Sequence, residues 1–126
     1  MTQVAPDSLD KQLEHLVFEA GQIIFEEGDK SETAFIIRSG SVRIVKRNQT
    51  GDVVLVTLNA PKAFGELSLI DNTPRSAAAI AAERTELMVI TADKFKAKIA
   101  GLDPFMRDWV LFLKHRILDL SARVED

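Results

Sequence analysis

Short apolar segments separated by glycine-containing turns fill residues 21–90, and this texture limits the possible folds more than any other feature of the sequence. Each segment has the length of a strand and is bounded by turn residues, as at Ser39-Gly40 and Thr50-Gly51. Six strands are predicted, over residues 22–25, 34–38, 42–46, 53–58, 77–82 and 86–90. Regular short strands joined by glycine turns are typical of a β-sandwich or a β-barrel.

A short amphipathic helix is predicted ahead of this β-rich region, ending at Gly21. Either Asp7 or Ser8 serves as its cap, because both side chains accept hydrogen bonds from first-turn amides. Its apolar residues recur at helical spacing: Leu9, Leu13, Leu16 and Val17.

Two more helices are predicted after the last strand. The first covers residues 92–100, with Asp93 as its cap and Gly101 at its end. The second begins at Asp103-Pro104, because proline at the first helical position has no amide hydrogen to leave unpaired.

The last predicted helix has the clearest periodicity in the sequence. Its apolar residues lie alternately four and three positions apart, as in a heptad seam: Met106, Val110, Leu113, Ile117, Leu120 and Val124. An adjoining aromatic arc widens the apolar face: Phe105, Trp109 and Phe112. We interpret the arc as packing on the β-rich body, and Ile117, Leu120 and Val124 as the contact of a homodimer. The alternative is that the whole stripe is core of a single chain.

Length and composition exclude several classes of protein. The 126 residues suit a single domain, and the absence of cysteine excludes disulfides, thiolate metal sites and a cysteine nucleophile. A net charge of −3 disfavours direct nucleic-acid binding, since binders of the phosphate backbone are usually basic. The longest apolar run, residues 77–82, is far short of the roughly 20 residues of a membrane span. We therefore expect a cytoplasmic protein.

Enzymatic chemistry is also disfavoured. The two histidines, His15 and His115, both fall on predicted helices, where a surface position is the simpler interpretation. No partners can be assigned for a Ser-His-Asp triad or for a metal site. We expect neither catalysis nor a bound metal.

One segment, residues 64–77, combines residue types suited to binding an anion. Gly65 permits a close backbone approach and opens a helical turn whose free N–H groups favour a phosphate. Arg75 offers a guanidinium that matches two phosphate oxygens, and Glu66 is an acceptor suited to a sugar hydroxyl. The alternative is that Arg75 and Glu66 form an ordinary surface ion pair and that the glycine only makes a turn.

This segment, from Phe64-Gly65-Glu66-Leu67-Ser68-Leu69 to Pro74-Arg75-Ser76-Ala77, resembles the phosphate-binding cassette of the cyclic nucleotide-binding domains. These domains occur in catabolite-activator-type regulators, kinase regulatory subunits and gated channels. Residues 20–29 and 35–42 resemble the early strands and turns of the same family. The resemblance covers nearly the whole chain. It implies an eight-stranded jelly-roll-like β-roll over about 21–91, with C-terminal helices over about 92–124.

The resemblance also implies a set of ligand contacts. Gly65 and the amides after it would contact the cyclic phosphate, Glu66 the ribose 2′-hydroxyl, and Arg75 would clamp the phosphate. The residues implied by the cassette are Gly65, Glu66, Leu67, Ser68, Arg75, Ser76 and Ala77.

The base is less well specified. Ser76 does not decide between cAMP and cGMP, and we favour cAMP. Ser121 falls near the position where some bacterial members touch adenine, although a solvated serine near the chain end is the alternative. Pro61 stands where the family usually has glycine, so the turn at 59–62 must be built differently. No residues after Asp126 remain for a helix-turn-helix module, so we expect a stand-alone domain.

The leading hypothesis is a non-catalytic sensor in which a bound cyclic nucleotide repositions the last helix and thereby alters a dimer or an effector interface. The alternative is a ligand-free structural or dimerisation adaptor that reuses the fold. Retention of Gly65, Glu66 and Arg75 together favours the sensor.

Overall fold

The structure, a computed structural model, describes the backbone of residues 13–124 and the side chains of residues 13–120. The chain divides between Ile90 and Thr91 into two compact units, a β-rich unit (Met1–Ile90) and a helical unit (Thr91–Asp126). The strands are β1 (Glu14–Phe18), β2 (Ile23–Phe25), β3 (Thr33–Ser39), β4 (Ser41–Lys46), β5 (Val53–Asn59), β6 (Ala63–Phe64), β7 (Ala78–Ala81) and β8 (Thr85–Thr91). The helices are α1 (Glu66–Asp71), α2 (Ala92–Ala100) and α3 (Pro104–Val124).

The strands form two four-stranded sheets, in the orders β1-β8-β3-β6 and β2-β7-β4-β5. The eight strands of the described residues match the expected number, and each of the six strands predicted from sequence lies within one residue of its observed ends. Alternation explains why they form: in β4, Val42 is in the core and Ile44 packs against it, while Arg43 between them is exposed, and a bulge between Ile44 and Val45 then shifts the register so that Val45 is buried. That the whole chain acts as one binding domain stays a prediction.

The core lies in the β-rich unit and is built from side chains of both sheets. Its buried members are Phe35, Ile37, Val42, Phe64, Ala79, Leu87 and Val89. Phe25, Phe35 and Phe64 form an aromatic cluster, with the rings of Phe35 and Phe64 stacked at 5.2 Å between centroids. Phe64 ends β6 directly before Gly65, so this closely packed cluster anchors the start of the segment that follows.

The first predicted helix is wrong over residues 14–18, which form strand β1. This strand pairs antiparallel with β8, from Glu14 opposite Val89 to Phe18 opposite Thr85. Leu16 and Val17 do fall at helical spacing from the earlier leucines, but the edge of β8 offers hydrogen-bond partners to the backbone groups of residues 14–18. This tertiary pairing outweighs the local pattern. Asp7, Ser8 and Leu9 lie outside the described residues.

The two C-terminal helices are confirmed, with one correction at a cap. Helix α2 is capped by Thr91, whose hydroxyl accepts from the Lys94 N–H at 3.2 Å, rather than by Asp93, which lies in the first turn. Gly101 ends α2 as predicted. Helix α3 begins at Pro104, and Asp103 Oδ1 accepts from the Met106 N–H at 3.2 Å.

Helix α3 carries an exposed apolar stripe among its described side chains. The exposed fraction is 75% for Phe105, 50% for Trp109, 55% for Phe112 and 52% for Leu120. Trp109 and Phe112 stack on each other with ring centroids 5.7 Å apart. The side chain of Val124 lies outside the described part, and both the homodimer and the packing of the aromatic arc stay predictions.

Candidate functional site

Helix α1 begins directly after Gly65, as predicted, and the glycine is required there for two reasons. Its φ of 79° is left-handed, which side chains other than hydrogen rarely permit. A Cβ at this position would also lie 2.7 Å from Arg75 Nη1. The backbone at position 65 therefore lies so close to Arg75 that the Cβ of any other residue there would clash with the guanidinium.

Arg75 is the centre of this site, and it is 4% exposed. Its Nη1 donates to Gly65 O at 3.0 Å, and its Nη2 donates to both Thr33 O and Thr33 Oγ1 at 2.9 Å. The guanidinium carbon lies 4.1 Å from the centroid of the Phe25 ring, a cation–π contact. Its Nε is buried and has no hydrogen-bond partner among the described residues.

The main chain of Arg75 is held as firmly as its side chain. The Arg75 N–H donates to Asp29 O at 2.8 Å, and Arg75 O accepts from the Gly28 N–H at 2.7 Å. Asp29 Oδ2 in turn accepts from the Glu26 N–H at 2.9 Å and closes the turn between β2 and β3. Contacts with the cassette and with the turn between β2 and β3 thus fix the position of Arg75.

No described carboxylate forms an ion pair with Arg75, so the alternative of an ordinary Arg75–Glu66 surface pair is wrong. Burial lowers the pKa of the Arg75 guanidinium from its usual value, and the negative charges of Asp29 and Glu66 oppose that shift at longer range. Arginine keeps its proton at any physiological pH. The site therefore contains a buried positive charge with neutral hydrogen-bond acceptors only, an arrangement that favours an anion.

The other predicted site residues of the cassette lie along the same short stretch. Glu66 is exposed and has no hydrogen-bond or ion-pair partner within the described part of the chain, and Leu67 is half-buried. Ser68 is buried, and its hydroxyl donates to Thr73 O at 2.6 Å. That hydroxyl is committed to the loop, so only the main chain of Ser68 remains for a ligand.

Residues after Arg75 return from the cassette into strand β7. Ser76 is exposed, and its carbonyl accepts from Lys46 Nζ at 2.8 Å; Ala77 is buried. Glu27 pairs with the same lysine at 3.3 Å. The backbone N–H of Arg47, followed by Lys46, lowers the pKa of Glu27 from its usual value.

Two positions outside the cassette were singled out in the sequence, Pro61 and Ser121. The turn containing Pro61 has a cis peptide bond between Ala60 and Pro61, and the Lys62 N–H closes it on Asn59 O at 3.1 Å. This turn leads into β6 and Gly65 without interrupting them. Ser121 lies on α3, in the helical unit, and its side chain lies outside the described part.

Sequence reasoning missed Thr33 and Phe25, which hold the guanidinium of Arg75. Thr33 begins β3 and Phe25 ends β2, 42 and 50 residues before Arg75 along the chain. Phe25 lies in the segment 20–29 that resembles the family's early strands, but the resemblance gave it no contact with Arg75, and Thr33 stands in no recognised motif. Only the pairing of the strands brings them to the arginine.

Over the described residues, no cluster of three or more histidine, aspartate or glutamate side chains has the arrangement of a metal site. None of the described helices combines the length and the low polarity needed to cross a bilayer.

Comparison with known proteins identifies the family. The sequence profile of the cyclic nucleotide-binding domain matches residues 15–101. The chain belongs to this family, and the matched range includes the whole cassette and, except for Glu14 at the start of β1, both sheets.

Several relatives are similar over most of this chain. The cyclic AMP receptor protein of Thermus thermophilus is 29% identical, over 97% of this chain and 58% of the relative. A CRP-like cAMP-activated global transcriptional regulator of Mycobacterium tuberculosis is 34% identical, over 94% of this chain and 54% of the relative. The chain therefore spans little more than half the length of these two proteins. A solved structure of the EAL enzyme Bd1971 superposes with a TM-score of 0.80 at 29% identity, over 86% of this chain and 98% of that one.

Proposed function

We propose that this protein is a non-catalytic sensor that binds a cyclic nucleotide monophosphate at the cassette, with cAMP preferred over cGMP. The observation that carries the proposal is the guanidinium of Arg75, which is buried and, among the described residues, has no carboxylate partner and no acceptor for its Nε–H. A cyclic phosphodiester carries one negative charge, which a single arginine is enough to balance.

Each cassette residue has a role that fits its surroundings. Arg75 binds the phosphate, together with the backbone at Gly65 and the first-turn amides of Leu67 and Ser68, which have no intrahelical acceptor. Glu66, exposed and unpaired within the described chain, accepts from the ribose 2′-hydroxyl. Ser76 and Ala77 contribute a hydroxyl and main-chain contacts, and Ser121 contributes a contact to the base.

The preference for cAMP is supported by the names of the two bacterial relatives, both of which refer to that nucleotide. The same names describe a receptor and a regulator, which supports a role without catalysis. The proposal includes a cytoplasmic location and an effector protein, as expected from the sequence.

Coupling to α3 is part of the proposal. The exposed stripe of this helix offers an apolar surface whose burial can differ between two states, and a homodimer through Ile117, Leu120 and Val124 is one way to bury it. A change in the position of α3 would then report the bound nucleotide to the partner.

The test is titration calorimetry with cAMP, cGMP and the ring-opened 5′-AMP. We expect cAMP to bind more tightly than cGMP, and 5′-AMP, which carries a different charge and shape at the phosphate, to bind least. Arg75→Ala should lose about 2–5 kcal/mol, roughly 30-fold to several thousand-fold in affinity. The matched control is Arg84→Ala, which removes an exposed arginine of the same unit that pairs with Glu19 at 3.5 Å.

The outcomes separate the sensor from the adaptor. If cAMP and cGMP give no heat with either the wild type or the variants, the site does not bind a cyclic nucleotide and the adaptor is the remaining function. If Arg84→Ala weakens binding as much as Arg75→Ala does, the buried guanidinium is not the specific clamp proposed here.

A further inference from the structure

The three acceptors around Arg75 differ in how easily they can be exchanged. Gly65 O and Thr33 O are main-chain atoms, so neither can leave the guanidinium unless the backbone moves. Thr33 Oγ1 belongs to a side chain that turns about a single bond between staggered positions. Because an anionic oxygen makes a stronger hydrogen bond to a guanidinium than a neutral hydroxyl does, Thr33 Oγ1 is the acceptor that an anion replaces most readily.

The surroundings of the guanidinium direct an anion to the same place. The ring of Phe25 covers one face of the group, 4.1 Å from its central carbon. The N–H groups of a guanidinium point outward in its plane, so an anion must approach an edge, where Thr33 accepts from Nη2 and the Nε–H is left without an acceptor among the described residues. Ser31 Oγ lies 2.9 Å from Thr33 Oγ1, so the Thr33 hydroxyl shares a hydrogen bond with Ser31 as well as with Arg75.

We propose that the Thr33 hydroxyl competes with the phosphate of the ligand for Arg75 and thereby sets the affinity of the site for a cyclic nucleotide. This inference rests on the proposed function of the cassette. When the cyclic phosphate binds, one Nη2–H passes from Thr33 Oγ1 to a phosphate oxygen, and the Thr33 hydroxyl turns away from the guanidinium. No covalent bond changes.

Competition of this kind has a thermodynamic signature. Without the Thr33 hydroxyl, one Nη2–H of the ligand-free protein loses its acceptor, while in the complex the phosphate supplies one. The variant is therefore less stable without nucleotide and binds nucleotide more tightly. A residue that only positioned Arg75 would lose both stability and affinity when truncated.

The experiment compares wild type, Thr33→Val and Thr33→Ser as full chains, by cAMP calorimetry and by urea unfolding without nucleotide. Valine keeps the shape of threonine and suits a strand, while serine keeps the hydroxyl. We expect Thr33→Val to bind cAMP about tenfold more tightly, which is about 1.4 kcal/mol, and to lose a similar free energy of unfolding. Thr33→Ser should stay within about twofold of wild type in affinity.

A second measurement uses the wild type alone and does not depend on a variant folding. Three-bond couplings to the Thr33 γ-methyl group report its χ1 angle, and we expect this angle to change when cAMP saturates the protein. The buried Thr85, which belongs to the core around Ser41, is the control and should keep its couplings.

Unchanged or weaker cAMP binding by Thr33→Val overturns the competition while leaving the proposed function intact, and so does an unchanged χ1 of Thr33 on saturation. A wild type that binds no cyclic nucleotide overturns the proposed function, and this inference with it. Tighter binding together with lower stability supports both.

Discussion

Gly65→Ala tests the packing of the site most directly, because the added Cβ causes two separate effects. The added Cβ takes a φ of 79°, a left-handed conformation that costs an alanine about 1–2 kcal/mol. The same Cβ would lie 2.7 Å from Arg75 Nη1, so the arginine must give up its 3.0 Å hydrogen bond to Gly65 O. Loss of a hydrogen bond from a charged, buried donor costs about 1.5–3 kcal/mol.

The two effects are separated by a matched glycine. Gly21 has a φ of 85°, almost the same backbone conformation, and a Cβ there would meet no heavy atom within 4 Å. Gly21→Ala therefore measures the backbone strain alone, and the difference between the two variants measures the contact with Arg75. We expect Gly21→Ala to lose about 1–2 kcal/mol of unfolding free energy, and Gly65→Ala about 2.5–5 kcal/mol.

The assay is urea unfolding of both variants without nucleotide, followed by cAMP calorimetry. Gly65→Ala should also bind cAMP at least tenfold more weakly, because the guanidinium is displaced from its position, while Gly21→Ala should bind as wild type does. Equal losses of stability in the two variants would refute the reasoning, since they would mean that the close approach of Gly65 to Arg75 contributes nothing.

Three further predictions follow from other parts of the structure. Glu66→Gln should weaken cAMP binding by about 1.5–3 kcal/mol but leave the free energy of unfolding unchanged, because Glu66 is exposed and unpaired among the described residues; calorimetry and urea unfolding measure the two effects. The backbone N–H of Arg47 and the side chain of Lys46 lower the pKa of Glu27 below its ordinary 4.5, so its contribution to stability is present above that pH and is lost as the pH falls through the lowered value. Urea unfolding of Glu27→Gln against wild type should then show a difference at pH 7 that disappears in acid. An Ile117→Glu, Leu120→Glu double variant should sediment as a monomer where the wild type sediments as a dimer.

Each of these has an outcome that contradicts it. A loss of stability in Glu66→Gln equal to its loss of affinity would show a structural role for the carboxylate. A Glu27→Gln difference that persists in acid would place the effect outside its titration. A wild type that is already monomeric would exclude the homodimer seam.

The sequence was sufficient where the signal is local. Glycine turns and alternating apolar residues located six strands to within one residue, because both signals act over a few positions. Proline at 104 and glycine at 101 located the helix ends for the same reason. The cassette was recognisable because Gly65, Glu66 and Arg75 lie within eleven residues of one another.

The sequence was insufficient where an element depends on a distant neighbour. Strand β1 has a helical spacing of apolar residues and becomes a strand only because β8, about seventy residues later, offers it an edge. Strand β6 is two residues long, too short for any periodicity, and pairs with Phe35 and Ile36 of β3. Pattern reasoning cannot find either of them, because the information lies in the partner strand.

The amino-acid sequence by itself determined the family, six of the eight described strands and the residue types of the cassette, since those follow from short-range spacing and from the chemistry of each side chain. Only the tertiary structure decided how Arg75 is held. Its acceptors Thr33 and Gly65 and its aromatic neighbour Phe25 come from three separate segments, and a buried charge is stable only where such groups converge. That convergence is a property of the paired sheets, and no local pattern in the sequence encodes it.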